Sequence, residues 1–428
     1  MVIPTDRVPA VTHMLWVKAG GADDSPATPG IAHFLEHLMF TGTPSYPKGT
    51  YDSTITKLGG EHNAFTNYDA TAYYATIPKE HLETVMAMEA DRLLSLSFDD
   101  STIAREISVI AEERRMRVDN QPASGLREQM RAVQFLAHPY RQPLIGWPDN
   151  IQAFTAADAK AFYDTYYRAS NMVLVVVGDV DAEQVHKLAA NHYGKLPTKP
   201  VPQRAWVREP SLATQRSVHL RDARVQQPRL MRSYTLPSVG TTQQVSTGFT
   251  MDVLGHYLGA PRTGLLYRAL VRDQKLATEV AVDADGWSKG PGTFAITMAL
   301  AEGVSLPEAE KALDAVLADV ALSSPSPERL TQAQTLLAAD ALYSQDGLMS
   351  LAMVMGSLAA MGLDEKTFYG WQESIHAVRA HDVAQLAKAM VNTSPSVTGY
   401  LEPATTEATK PEPTMPMAAL SAGGADAH

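Results

Sequence analysis

Two histidines four residues apart with a glutamate between them, His33-Phe34-Leu35-Glu36-His37, are the first residues whose types and spacing offer chemistry. On a helix the two imidazoles fall one turn apart on one face, a geometry that chelates a single cation. Glu36, three residues after His33, joins that face and stands close enough to hold a water beside the ion rather than the ion itself. The same five-residue pattern also arises by chance on amphipathic helices, so a third ligand decides. A catalytic zinc site takes three protein ligands and keeps a position open. The chain has no cysteine, which leaves histidine and carboxylate as the available donors.

The third donor is expected on a helix from Ser101 to Val118. Ile103, Ile107 and Ile110 form an apolar stripe, and Glu106 and Glu113, seven residues apart, fall on the same side. Burying two carboxylates costs several kcal/mol unless a cation or hydrogen bonds compensate. A metal would compensate; a rim position with salt bridges is the alternative. Glu112 points about 100° away from Glu113 on a helical wheel and ranks second.

These side chains need elements to hold them. Thr28 as N-cap and Pro29 at the first helical position predict a helix reaching Phe40, anchored by Phe34, Leu35, Leu38 and Met39. Strands are expected at Ala10–Ala19, Phe65–Ile77 and Met172–Val177, with helices near Thr50–Leu58, Glu80–Ser95 and Ala156–Tyr167. Four prolines at 197, 200, 202 and 210 mark a linker. Beyond it the same kinds of element return. Strands are read at Gln215–Leu220, Leu230–Thr235 and Thr293–Ala299, and helices near Thr241–Leu258, Leu306–Leu322 and Pro327–Tyr343. The expected organisation is therefore α+β, with domains at 1–200 and 215–402, a linker at 201–214 and a loosely ordered tail at 403–428.

Composition agrees with a folded chain of more than one domain. Its 428 residues exceed one ordinary core, and 45% hydrophobic with 19% charged residues excludes disordered, collagen-like and coiled-coil chains. The 36 basic and 47 acidic residues give a net charge of −11, without the basic footprint of a nucleic-acid reader. Gly347–Leu363 is uncharged but short and diluted by Gly and Ser, so it reads as a buried helix rather than a membrane span. The chain opens almost directly on a strand, which suggests a removed leader and a periplasmic location.

Several strings together carry a resemblance. HFLEH is the inverted zinc-peptidase signature, followed by Gly42-Thr43. Gly59-Gly60 and Asn63-Ala64-Phe65-Thr66 come next, with Asp69, Thr71 and Tyr73. Further on stand His138-Pro139-Tyr140 with Pro143 and Ile145-Gly146, then Asn171-Met172-Val173 and Gly178-Asp179-Val180. Over most of its length the chain resembles the pitrilysin/insulysin family of zinc metallopeptidases, particularly short-chain members similar to the mitochondrial processing peptidase.

That resemblance implies one zinc per chain on His33, His37 and Glu113, with Glu36 as general base and Glu106 as an acid orienting the site. It implies that Asn63, Ala64 and Phe65 lie on a strand edge that takes up substrate, and that Phe40 and Phe65 line a pocket, although core packing suits both rings equally. It also implies two homologous αβ domains, each a mixed, mainly antiparallel sheet with helices, forming one half of a clamshell peptidase. The partner half would supply an Arg and a Tyr seven apart. Here the corresponding stretch offers Val271 with Thr278 or Arg272 with Glu279, so neither register holds the tyrosine. The expected assembly is a heterodimer whose homologous companion carries that pair, with a homodimer using Arg268 or Arg272 as the alternative. A non-catalytic scaffold of the same fold and a closed structural zinc site are the rival readings.

Overall fold

The computed structural model describes residues 1–204, 206–210, 214–344 and 346–404. Runs rich in β-branched and aromatic residues build the strands of the first half: β1 Val2–Pro4, β2 Ala10–Val17, β3 Glu61–Thr66, β4 Thr71–Pro78 and β5 Met172–Gly178. The second half repeats them as β6 Arg216–Asp222, β7 Arg229–Leu236, β8 Ala277–Asp285, β9 Gly292–Leu300 and β10 Ser396–Pro403. Strand orders are β1-β5-β2-β4-β3 and β6-β10-β7-β9-β8. In each sheet the pair at one edge is parallel and the remaining pairs are antiparallel. The strand sequence of the first sheet thus maps one to one onto the second, as two like α+β domains require.

The helices of the first half include α1 Ile31–Leu38, α2 Thr50–Lys57, α3 Leu82–Ser95, α4 Asp100–Arg114 and α5 Pro122–Gln134. Along β2, Leu15 and Val17 face the layer that contains α1, while Met14 and Trp16 face the opposite side. That opposite side is covered by the helix Leu348–Met361 from the second half, through Ala352, Met355 and Ala360. The expected buried helix at Gly347–Leu363 is this one, and no helix among the described residues is long and apolar enough to cross a membrane. Reciprocally, Leu126 and Met130 of α5 pack on Met231, Val397 and Leu401 of the second sheet. Each half therefore lends one helix to the other's sheet.

Two sequence expectations change. Phe65–Ile77 is not one strand but the hairpin β3–β4, because the Asn67 carboxamide oxygen accepts from the backbone N–H groups of Asp69 and Ala70 and closes a turn. Thr28 and Pro29 do not cap the histidine helix. Gly30, at φ 94°, precedes its first turn, and the half-buried Asp24 carboxylate accepts from Gly30 N and Ala32 N at 2.7 and 3.0 Å. Burial pushes the Asp24 carboxyl well above its usual range, with the two N–H groups opposing. Within the stretch assigned to a linker, Arg204 pairs with Asp23 and Asp69. Residues 405–428 of the expected tail lie outside the described residues, and Pro403 closes β10.

Candidate metal centre and its cleft

Phe34, Leu35 and Leu38 of α1 are fully buried, which turns His33, Glu36 and His37 together toward one wall of a cleft of about 430 Å³. The α4 helix packs alongside through Ile103 and Ile110 and presents Glu106 and Glu113 to the same cleft. Glu113 Oε2 lies 3.6 Å from His33 Nε2 and 3.1 Å from His37 Nε2. One donor atom from each of the three residues falls within 4.8 Å of the others.

Glu113 Oε2 is buried and lacks a hydrogen-bond partner among the described residues. Two imidazole nitrogens approach it without the alignment that a shared proton would need. Three lone-pair donors converging on one buried point are what a divalent cation of zinc's type requires, so the residues fit such an ion. The second carboxylate oxygen, Oε1, pairs with Arg117 Nη1 at 2.8 Å from the π-helical turn Arg115–Asp119 that follows α4.

Electrostatics suit the same purpose. Burial, together with the nearby His37 and Arg117 charges, lowers the His33 pKa to about 4, against a smaller opposing pull from Glu113, so this imidazole is neutral and free to donate its lone pair. Burial would raise the Glu113 carboxyl, but His37, His33 and Arg117 outweigh it and hold that group below the usual range. Glu36 shows the reverse: burial drives its pKa up, against a hydrogen bond from Thr66 Oγ1 to Oε2 at 2.6 Å. A carboxyl lifted in this way is suited to taking and returning protons.

The remaining expected residues are distributed as follows. Glu106 is buried on the cleft wall, but it pairs with Lys48 Nζ at 2.7 Å; among the described residues neither imidazole bonds to it. Glu112 is exposed and pairs with Arg115. Asn63, Ala64 and Phe65 lie on β3, the outer strand of its sheet, and line the cleft. Phe40 also lines it, with its ring 5.7 Å from His62 and the Arg92 guanidinium 4.8 Å above it. Phe65 is set edge-on to Trp16 at 5.4 Å. Both rings therefore combine cleft lining with core packing. Lys48 and Arg117 were not singled out as site residues from the sequence, and Thr66 only as the end of the Asn63–Thr66 string, because nothing in local spacing relates the three to Glu106, Glu113 and Glu36. Arg272 is engaged with its neighbour Asp273, and Tyr343 is 75% exposed on another helix.

The family model described as Insulinase (Peptidase family M16) matches residues 1–147, and that described as Peptidase M16 inactive domain matches 153–337. The chain belongs to peptidase family M16. All five candidate residues on α1 and α4 fall within the first M16 match. Among M16 relatives, the chain is 31% identical to the zinc protease PqqE of Helicobacter pylori over 265 residues, which is 61% of this chain and 59% of that protein. It is 32% identical over 200 residues to the mitochondrial-processing peptidase subunit beta of Blastocladiella emersonii, covering 46% and 43%. The aligned parts thus span less than two thirds of these relatives. The fold is that of a crystallised Helicobacter pylori protease, with a TM-score of 0.88 at 24% identity over 94% of this chain and 96% of that one. It also matches the periplasmic protease PqqL of Escherichia coli, with a TM-score of 0.75 at 21% identity, 94% of this chain covering 46% of that M16 chain.

Proposed function

We propose that the chain is a zinc-dependent endopeptidase that hydrolyses peptides or small unfolded polypeptides as the zinc-bearing half of a two-half chamber. The observation that carries this reading is the convergence of His33, His37 and the unpartnered Glu113 Oε2 beside Glu36, whose carboxyl pKa burial raises. His33, His37 and Glu113 would hold the ion. Zinc, when bound, supplies Lewis acidity, drawing electron density from the scissile carbonyl and lowering the pKa of a neighbouring water. Glu36 takes that water's proton and returns it to the leaving amine. Thr66 fixes one oxygen of Glu36, so the carboxyl meets the water in a set orientation. Glu106, held by Lys48, supports the α4 side of the cleft and orients the site. The open edge of β3 takes the substrate as an added strand at Asn63–Phe65, where backbone pairing demands little of the side chains.

The two-half assembly is supported by length: this chain matches 46% of the PqqL chain, which is about one half. With no Arg and Tyr seven apart at 271–279, the reading favours a heterodimer whose homologous companion supplies that pair as carbonyl and oxyanion donors. Domain limits at 1–200 and 215–402, and a periplasmic location, belong to the same proposal. The test is metal analysis with peptide cleavage on the purified chain, alone and with candidate companions. Glu36→Gln is expected to keep its zinc while losing about a hundredfold to ten-thousandfold in hydrolysis. Glu113→Ala is expected to lose the metal. Undiminished cleavage by Glu36→Gln would overturn the mechanism, and full activity of the lone chain would overturn the heterodimer.

A further inference from the structure

The helix that presents Glu113 ends its buried face on a charge. Its buried side chains are Ile103, Glu106, Ile110 and Arg114, spaced three, four and four along one face of α4. After Ile110 no apolar side chain of this helix is buried, so its last enclosed group is a guanidinium, next in the chain to Glu113. Such a group is costly to enclose unless it is paired and hydrogen-bonded. Arg114, 5% exposed, spends its fork in two directions. Nη1 and Nη2 donate to the two carboxylate oxygens of Glu128 on α5, at 2.8 and 2.7 Å, and Nη1 donates also to the Gly146 carbonyl oxygen at 2.9 Å. Arg114 is not among the residues that line the metal cleft, and Glu128 answers its charge.

The bond to Gly146 leads to the histidine helix. Gly30 and Gly146 both take left-handed backbone, at φ 94° and 89°, and their main chains touch. A Cβ on Gly30 would stand 2.6 Å from Gly146 Cα and N, and one on Gly146 would stand 2.7 Å from the Pro29 carbonyl oxygen. The Gly30 carbonyl in turn accepts from Phe34 N at 2.9 Å, in the turn that carries His33. One guanidinium therefore connects the last turn of α4 to the backbone that abuts the first turn of α1. Packing through Ile103 and Ile110 also joins the two helices, but apolar contact is non-directional and ends a turn before Glu113. Metal ligands must stand within about 0.2 Å of their bonding distances. The directional tie acts where that precision is needed, between Glu113 and His33.

We propose that Arg114 is a positioning residue of the metal centre, setting the separation of Glu113 from His33 through Gly146 and Glu128 without touching metal or substrate. This role rests on the reading of His33, His37 and Glu113 as zinc ligands. Zinc affinity of the wild-type chain, measured by competition with a chromophoric chelator, tests that reading; the difference between wild type and variants tests Arg114. Arg114→Lys keeps the charge, but one ammonium cannot reproduce the planar fork. It is expected to bind zinc about tenfold to a hundredfold more weakly, and with cobalt(II) in place of zinc to show visible absorption bands of changed position and intensity. Arg232→Lys is the matched control, because Arg232 is 8% exposed and pairs with Glu310 and Asp314 in the second half. It should lower the urea midpoint while leaving zinc affinity and the cobalt spectrum unchanged. Should Arg114→Lys fail to fold, Glu128→Gln decides: it keeps the side chain's shape and one acceptor oxygen, releases one arm of the fork, and is expected to weaken zinc binding about fivefold or more. The proposal is overturned if a folded Arg114→Lys matches wild type in zinc affinity and cobalt spectrum, if Arg232→Lys weakens zinc binding as much, or if Glu128→Gln binds zinc with unchanged affinity. A wild-type chain that binds no zinc would overturn the ligand reading itself, and this role with it.

Discussion

Arg117 and Asp252 show how differently two charged side chains weigh on this protein. Arg117 reaches Glu113 Oε1, yet its side chain is 73% exposed, and exposed ion pairs contribute about 0–1 kcal/mol. Arg117→Ala is therefore expected to weaken zinc binding by no more than about fivefold in competition with a chromophoric chelator. Asp252 is enclosed, accepts from the Trp287 indole N–H at 2.8 Å, and has its pKa raised by burial from 3.8 to about 7. Its folded pKa lies above its unfolded one, so its contribution is complete below about pH 4 and is lost as pH rises toward 7, at up to about 1.4 kcal/mol per pH unit. Asp252→Asn should escape that loss: its stability relative to wild type, measured by urea unfolding, should be higher at pH 8 than at pH 4. At this scale His33, Glu36 and His37 were legible because five consecutive residues carry the whole pattern, and Glu113 because helical period sets its face. Lys48, Thr66 and Arg117 act across chain separations or turns that no local pattern records.

Among the elements, the helix Leu348–Met361 lies hard against β2 at Gly356. A Cβ on Gly356 would stand 1.8 Å from Trp16 Nε1, inside the indole. Replacing a helical glycine by alanine at a compatible site stabilises by about 0.4–1 kcal/mol. Gly356→Ala should reverse that sign and cost about 1–3 kcal/mol through overpacking, read as a lower urea midpoint. Gly399→Ala in β10 should cost less, because its nearest neighbour is the flexible end of Met130. Strands such as β5 were legible as unbroken apolar runs because both faces are covered, one of them by a borrowed helix. The β8 strand escaped notice because, at the edge of its sheet, Glu279, Asp283 and Asp285 are exposed and break the apolar pattern. The β3–β4 division escaped because residues 65–77 are strand-forming on both sides of a turn that a single Asn67 side chain closes.

For the molecule as a whole, the exchange of α5 and Leu348–Met361 means that the two sheets share their covering layers. Unfolding followed by tryptophan emission and by far-ultraviolet circular dichroism should give one coincident transition, whereas two separated transitions would show that each half stands alone. The repeated αβ pattern was legible in the order of strands and helices, but the exchange was not, since contacts between residues more than 100 positions apart leave no trace in local periodicity. The same exchange bears on synthesis. While the ribosome is still adding residues before 348, the indole of Trp16 and the apolar row beside it have no cover, however complete the hairpins around them. The amino-terminal sheet then gains the cover of its second face only when nearly the whole polypeptide has been made.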